Sequence, residues 1–218
     1  MDNIVSTAQH YEMLIDEGCD PFRDGEILKA YMSRWDGPLF YNSLDLSSEK
    51  IVLEIGIGTG RVAQNVLDIG CKHLTGIDIS PKTIARAKEN LLGRYNNVEL
   101  LLQDIGDYRM PNHFNLVYSV LTFMHIEDKE KALSNIVYSL KPGGDVVLSI
   151  SRQPEWLDYG RKVKLFPEVP EFYIEVLEKL KCYVHELIDL IDTFVLPDGT
   201  KQPEYGQKIA SIIKATKK

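Results

Sequence analysis

Residues 52 to 61 read VLEIGIGTGR, an acid followed by three glycines at alternate positions: Glu54, then Gly56, Gly58 and Gly60. Glycines in such a turn carry no side chain and tolerate positive φ, so a ligand can lie directly against the backbone. Their interval selects among ligands. A dinucleotide turn, G-x-G-x-x-G, needs its third glycine where this chain has Arg61, and a Walker-type phosphate loop needs a G-K-[ST] that does not follow. In LTGIDIS, Asp78 can accept charge-assisted hydrogen bonds from both hydroxyls of a ribose, which suits a dinucleotide as well as other adenosyl ligands. Asp104 closes LLLQD, and His125 in SVLTFMHI offers a base near neutral pH. Glu54 alone reads equally as a buried acid held by backbone amides, and Asp78 and Asp104 as ordinary strand-end caps. Acids at successive strand ends favour a shared ligand, because open parallel sheets bind at their carboxyl edge.

The elements that must position these residues follow from periodicity. From residue 51, short apolar runs alternate with helical patterns: IVLEI, RVAQNVLDIG, HLTGIDI, PKTIARAKENL, VELLLQD, FNLVYSVL, EDKEKALSNIVYSL and DVVLSIS. This βαβαββαβ order predicts a parallel sheet with helices on both faces. Ser80 before Pro81 predicts a capped helix start, and KPGG at 141–144 a helix stop with a left-handed glycine. A helix is expected near 171–181, and YVHELIDLIDTFVL and GQKIASIIKA flank PDGT as an antiparallel hairpin. Residues 1–50 carry helical periodicity in IVSTAQHYEMLIDEG and GEILKAYMSRW, with breaks at CDPFRDG and WDGP. They predict a helical N-terminal arm that acts as a lid on an α/β domain at 51–218. The stretch at about 152–170, with Pro154, Pro167 and Pro170, reads as an irregular, lid-like insertion.

Composition limits the function. The 218 residues are 44% hydrophobic and 26% charged, with no run of about 18 apolar residues and no signal-like N-terminus, so a cytoplasmic protein without membrane association is expected. Three scattered cysteines offer no disulfide framework, and with five histidines they show no metal-ligand spacing, so no metal is expected. A net charge of −7 argues against a phosphate-backbone binder, so no nucleic-acid partner is expected. Oligomeric state is not legible.

With these residues in place, the stretch from about 51 to 151 resembles the class I S-adenosylmethionine-dependent methyltransferases, whose first motif is an acid two residues before G-x-G-x-G. The resemblance implies a doubly wound, Rossmann-like, seven-stranded and mostly parallel α/β sheet ending in the antiparallel hairpin. It implies S-adenosylmethionine as cofactor, S-adenosylhomocysteine as product, and the turn at Glu54, Gly56, Gly58 and Gly60 beneath methionine and ribose. It also implies that Asp104 accepts from the adenine amino group, that Ile79, Gln103 and Ile105 flank the ring, and that SVLTFMHI, from about Ser119, floors the active site.

Methyl transfer from a sulfonium needs mainly alignment and the exclusion of water, with a base only where the nucleophile carries a proton. His125 is the candidate base, or else a packing residue. Tyr11, Trp35 and Trp156 are candidate acceptor contacts. The family's tetrad for base or amide nitrogens would fall at SVLT, residues 119–122, and is absent, as is a Pro-Cys nucleophile. A small-molecule acceptor is therefore expected. The rival classes are an NAD(P)-dependent oxidoreductase, disfavoured by Arg61, an aminopropyl transferase, whose acidic motif is lacking, and a non-catalytic S-adenosylmethionine binder.

Overall fold

A computed structural model describes residues 3–151 and 153–218. The arm opens with a two-residue strand, β1 (Ile4–Val5), and three helices, α1 (Thr7–Asp16), α2 (Glu26–Met32) and α3 (Pro38–Ser43). Ser6 starts α1 through a capping box: its hydroxyl accepts from the Gln9 amide while the Gln9 side chain accepts from the Ser6 amide. The WDGP stretch, expected only as a break, ends by starting α3, because Pro38 takes the first helical position, where no N–H is required.

The domain then alternates β2 (Ile51–Ile55), α4 (Arg61–Ile69), β3 (His73–Asp78), α5 (Pro81–Leu91), β4 (Val98–Leu102), β5 (Phe114–Val120), α6 (Lys129–Ser139) and β6 (Leu140–Ser151). There follow β7 (Trp156–Asp158), β8 (Lys162–Lys164), α7 (Pro170–Lys179), β9 (Cys182–Ile191) and β10 (Lys208–Lys217). The main sheet has seven strands in the order β4-β3-β2-β5-β6-β10-β9, parallel from β4 to β6, with β10 antiparallel to both of its neighbours. This is the expected doubly wound sheet, and its order reverses between β2 and β5, where the carboxyl edge opens a crevice.

Strand alternation sorts the core. Val52 and Leu74 face a cluster with Phe40 and Leu44 of the arm, Ala63 and Val66 of α4, and Ala87 and Leu91 of α5. Leu53, Ile55 and Val117 face the other, with Leu133 and Ile136 of α6 and Tyr173 and Leu177 of α7. Both faces are covered, which explains why the parallel strands read as continuous apolar runs.

Two expectations need correction. KPGG does not cap α6: the helix ends at Ser139, Leu140 is already extended, and the left-handed Gly143 (φ 75°) lies within β6, beside a register shift against β5. A Cβ on Gly144 would stand 2.9 Å from the Lys141 carbonyl oxygen, so the second glycine serves close backbone packing. The 152–170 stretch is also more regular than expected. Within it, β7 and β8 pair antiparallel, and β8 pairs in parallel with β1 of the arm, giving a second, three-stranded sheet. Short three-residue strands broken by Gly160 and prolines carry too little periodicity to be read without their partner.

Candidate donor-binding and transfer site

The glycine turn follows β2 and leads into α4. All three glycines hold positive φ: 71° at Gly56, 58° at Gly58 and 95° at Gly60. They do different work. A Cβ on Gly56 would run into the Thr122 side chain, and one on Gly60 would meet Leu91 Cδ1 of α5 at 2.7 Å, so these two let neighbouring elements close in. A Cβ on Gly58 would meet nothing within 4 Å. Gly58 is therefore the point where the backbone is bare toward open space.

Asp78, ending β3, faces that point: its carboxylate accepts from the Gly58 amide at 3.0 Å and the Ser80 amide at 2.9 Å. Burial raises its pKa, and the backbone amides oppose the shift. Ser80 caps α5 as expected, its hydroxyl accepting from the Thr83 amide. Ile79 beside Asp78 is 39% exposed, an apolar face at the same edge. Gln103 and Asp104 follow β4 and are exposed; Asp104 accepts from Gly106 N at 2.7 Å, so one of its oxygens is engaged within its own loop. Ile105 is 3% exposed and packs in the core beside α6, and the buried Ser119 donates to the Ile55 carbonyl at 3.0 Å.

Glu54 lies deeper, 2% exposed, where it accepts from the Tyr118 hydroxyl at 2.8 Å. Burial pushes its pKa up to about 8, against the pull of Tyr118 and Arg61. Arg61, where a dinucleotide fingerprint would need glycine, makes a two-pronged pair with the fully buried Asp36 of the arm. That pair, invisible to local spacing, joins the arm to the first turn of α4. A second unanticipated contact ties the arm to the turn itself: Asn90 donates to the Thr59 carbonyl and to buried Asp20, and the Phe22 amide donates to the Thr59 hydroxyl.

His125 ends a short 3-10 turn after β5, and its Nε2 lies 2.9 Å from the Tyr11 hydroxyl of α1. Two residues singled out 114 positions apart thus meet directly. Burial lowers the His125 pKa to about 4, helped by His10 and Lys129, and its buried Nδ1 has no hydrogen-bond partner among the described residues. Burial raises the Tyr11 pKa, and the charge of Asp78 raises it further. Trp35 packs against the arm-side core, accepting from Ser149 at its carbonyl while its Nε1 has no partner. Trp156 stands on β7, the outer strand of the small sheet, and is exposed.

A cavity of about 520 Å³ lies elsewhere, between α2 and the segment after β9, lined by Ile27, Leu28, Tyr31, Phe194 and Leu196. Its lining includes none of Glu54, Asp78 and Asp104, which lie toward the carboxyl ends of the parallel strands. There the residues fit an adenosyl amino acid: bare backbone at Gly58, a carboxylate for hydroxyls at Asp78, and an apolar face at Ile79. Among the described residues no group of three or more His, Cys, Asp or Glu is placed to hold a metal ion.

Known proteins share this arrangement. The family described as "Methyltransferase domain" matches residues 52–144. Phosphoethanolamine N-methyltransferase 1 of Triticum aestivum is 34% identical over 111 residues, covering 50% of this chain and 22% of that enzyme. Malonyl-[acyl-carrier protein] O-methyltransferase 1 of Ilyobacter polytropus is 31% identical over 137 residues, covering 62% of this chain and 44% of that enzyme. The chain therefore spans less than half the length of these curated relatives. The N-methyltransferase NodS of Bradyrhizobium japonicum WM9, solved with S-adenosylhomocysteine, superposes with a TM-score of 0.70 at 21% identity over 98% of this chain and 99% of that one, a likeness of fold. The family match spans the glycine turn, Asp78, Asp104 and His125, so residues 52–144 are similar to a methyltransferase domain and the fold is that of solved S-adenosylmethionine-dependent methyltransferases.

Proposed function

We propose that this protein transfers a methyl group from S-adenosylmethionine to a small molecule whose nucleophile carries a proton, an amine or a hydroxyl. The supporting observation is that the Tyr11 hydroxyl lies 2.9 Å from His125 Nε2 and its acidity responds to the charge of Asp78, which links a donor cradle electrostatically to a neutral imidazole. Gly58 and Asp78 would hold the donor's ribose side, and Ile79, Gln103 and Asp104 its adenine side. The bound donor supplies an electrophilic methyl on a sulfonium. The protein must then align the acceptor, keep water out and take up a proton.

His125 is suited to that last task because its lowered pKa leaves it unprotonated at neutral pH. With Nε2–H donating to the Tyr11 oxygen, the lone pair on Nδ1 is free to receive the acceptor's proton. Tyr11, held protonated by its raised pKa, fixes the ring as the third group of a triad fixes its histidine. We read residues 1–50 as the arm that covers this edge, 51–218 as the catalytic domain, and the insertion at about 152–170 as a second cover. The three free cysteines suit a cytoplasmic setting, and the charge of −7 suits a small-molecule rather than a nucleic-acid acceptor. Among the described residues no helix is long and apolar enough to cross a membrane.

A panel of small amines and hydroxyl compounds, scored by S-adenosylhomocysteine release, tests this reading with two variants. Asp78→Ala is expected to weaken donor binding by about 1.5–3 kcal/mol, the scale of hydrogen bonds to a charged group. His125→Ala is expected to leave donor affinity intact and slow turnover by roughly 10²-fold or more. Full turnover in His125→Ala would remove the base, and unchanged affinity in Asp78→Ala would remove the ribose contact.

A further inference from the structure

The arm and the 152–170 insertion are far apart in the chain, 151 positions between His10 and Arg161, yet one side chain clamps them together. Arg161, between β7 and β8, is 6% exposed. Its Nε donates to His10 Nδ1 at 3.0 Å, and its two terminal nitrogens donate to the two Glu17 carboxylate oxygens at 2.6 and 3.1 Å. His10 lies within α1 and Glu17 is its C-cap, about two turns on, so the guanidinium joins successive turns of the helix. His10 can accept because burial and the nearby guanidinium keep it unprotonated. The backbone adds to the clamp: Ile4 and Val5 pair with Lys162 and Val163, and the Lys162 amide donates to the Asn3 carbonyl at 2.8 Å. The Tyr159 ring lies 5.5 Å from that of His10.

The next residue along α1 is Tyr11, on His125. The insertion reaches the same place independently, through the Phe166 amide on the Met124 carbonyl at 2.7 Å. On the far side of α1 the chain passes through Gly18 (φ 86°) and Cys19 before Asp20 is fixed to Arg86 and Asn90. Gly18 leaves a flexible joint after α1, which is tied to α5 by Lys82 on Asp16 and to the insertion by Arg161.

We propose that Arg161 is a positioning residue: it joins α1 and the β7–β8 hairpin into one lid and thereby sets the Tyr11 hydroxyl on His125, so that the donor side and the acceptor side of the site open together. The inference rests on the methyltransferase reading for its purpose. The mechanical coupling stands apart from it, and the experiment separates the two.

Hydrogen exchange on the full chain, with and without S-adenosylhomocysteine, measures the coupling directly. Arg161→Gln is expected to speed exchange at the α1 amides and at Lys162 and Val163 by the same factor, about tenfold or more, with β2 to β5 unchanged. Glu17→Gln should do the same, and Arg161→Lys, which keeps the charge and loses the fork, should recover only part of it. S-adenosylhomocysteine should slow both segments together, and its release should quicken in Arg161→Gln and Tyr11→Phe without further gain in the double variant. Loosening of one segment alone, or rates that multiply in the double variant, would overturn the proposal. If S-adenosylhomocysteine binds to no variant and not to the native chain, the donor reading fails, while matched exchange in the two segments still supports the joint lid.

Discussion

A carboxylate near the end of a parallel strand is satisfied either by backbone amides or by being neutralised, and the two acids that frame the glycine turn take different routes. Asp78 holds two amides and remains at the crevice, so a ligand's hydroxyls can compete for its oxygens. Glu54 is enclosed with Tyr118, and burial lifts its folded pKa to about 8, far above the ordinary glutamate value of 4.5. An acid with a raised folded pKa favours the folded state fully below its unfolded pKa and loses that contribution as pH rises through the folded one. Stability should therefore fall between about pH 4.5 and 8 through this group, by at most about 1.4 kcal/mol per pH unit. Urea unfolding of the native chain and of Glu54→Gln across that range checks it: the native midpoint is expected to drop relative to the variant as pH rises. Parallel curves would show that Glu54 is ionised in the folded protein.

At the scale of elements, the three glycines divide between fold and function. Gly60→Ala places a Cβ against Leu91 and forces a left-handed alanine, which is expected to cost about 1–3 kcal/mol of stability. Gly58→Ala bears only the backbone strain, since its Cβ meets open space, and is expected to lose more donor affinity than Gly60→Ala does. Thermal melts with and without S-adenosylhomocysteine separate the two, and equal effects on binding would contradict the division. The parallel strands, the capped α5 and the C-terminal hairpin were legible because each depends on local periodicity or on a short-range hydrogen bond, as at Ser80 and Pro81. The role of KPGG and the small sheet were not, because they depend on partners far away in the chain: Gly144 on the β5 carbonyls, and β8 on Ile4 and Val5. Arg61 shows the same limit within the site. Its spacing argued against a dinucleotide, but only the fold brings Asp36 to it.

Across the whole molecule, the sequence specifies the proposed donor more plainly than the acceptor. The proposed donor contacts fall on consecutive strand ends of one sheet, so their order survives in the sequence. The proposed acceptor side draws on α1, the segment after β5 and the 152–170 insertion, which no local pattern unites. The central claim is that the edge at Gly58 and Asp78 holds an adenosyl amino acid and not a nicotinamide dinucleotide, and thermal unfolding tests it most directly. At about a hundredfold excess over its dissociation constant, a ligand that binds only the folded state adds about 2.7 kcal/mol, which for a chain of this size raises Tm by roughly 5–10 °C. S-adenosylhomocysteine is expected to give such a rise and NADH none; a rise with NADH and none with S-adenosylhomocysteine would contradict the account.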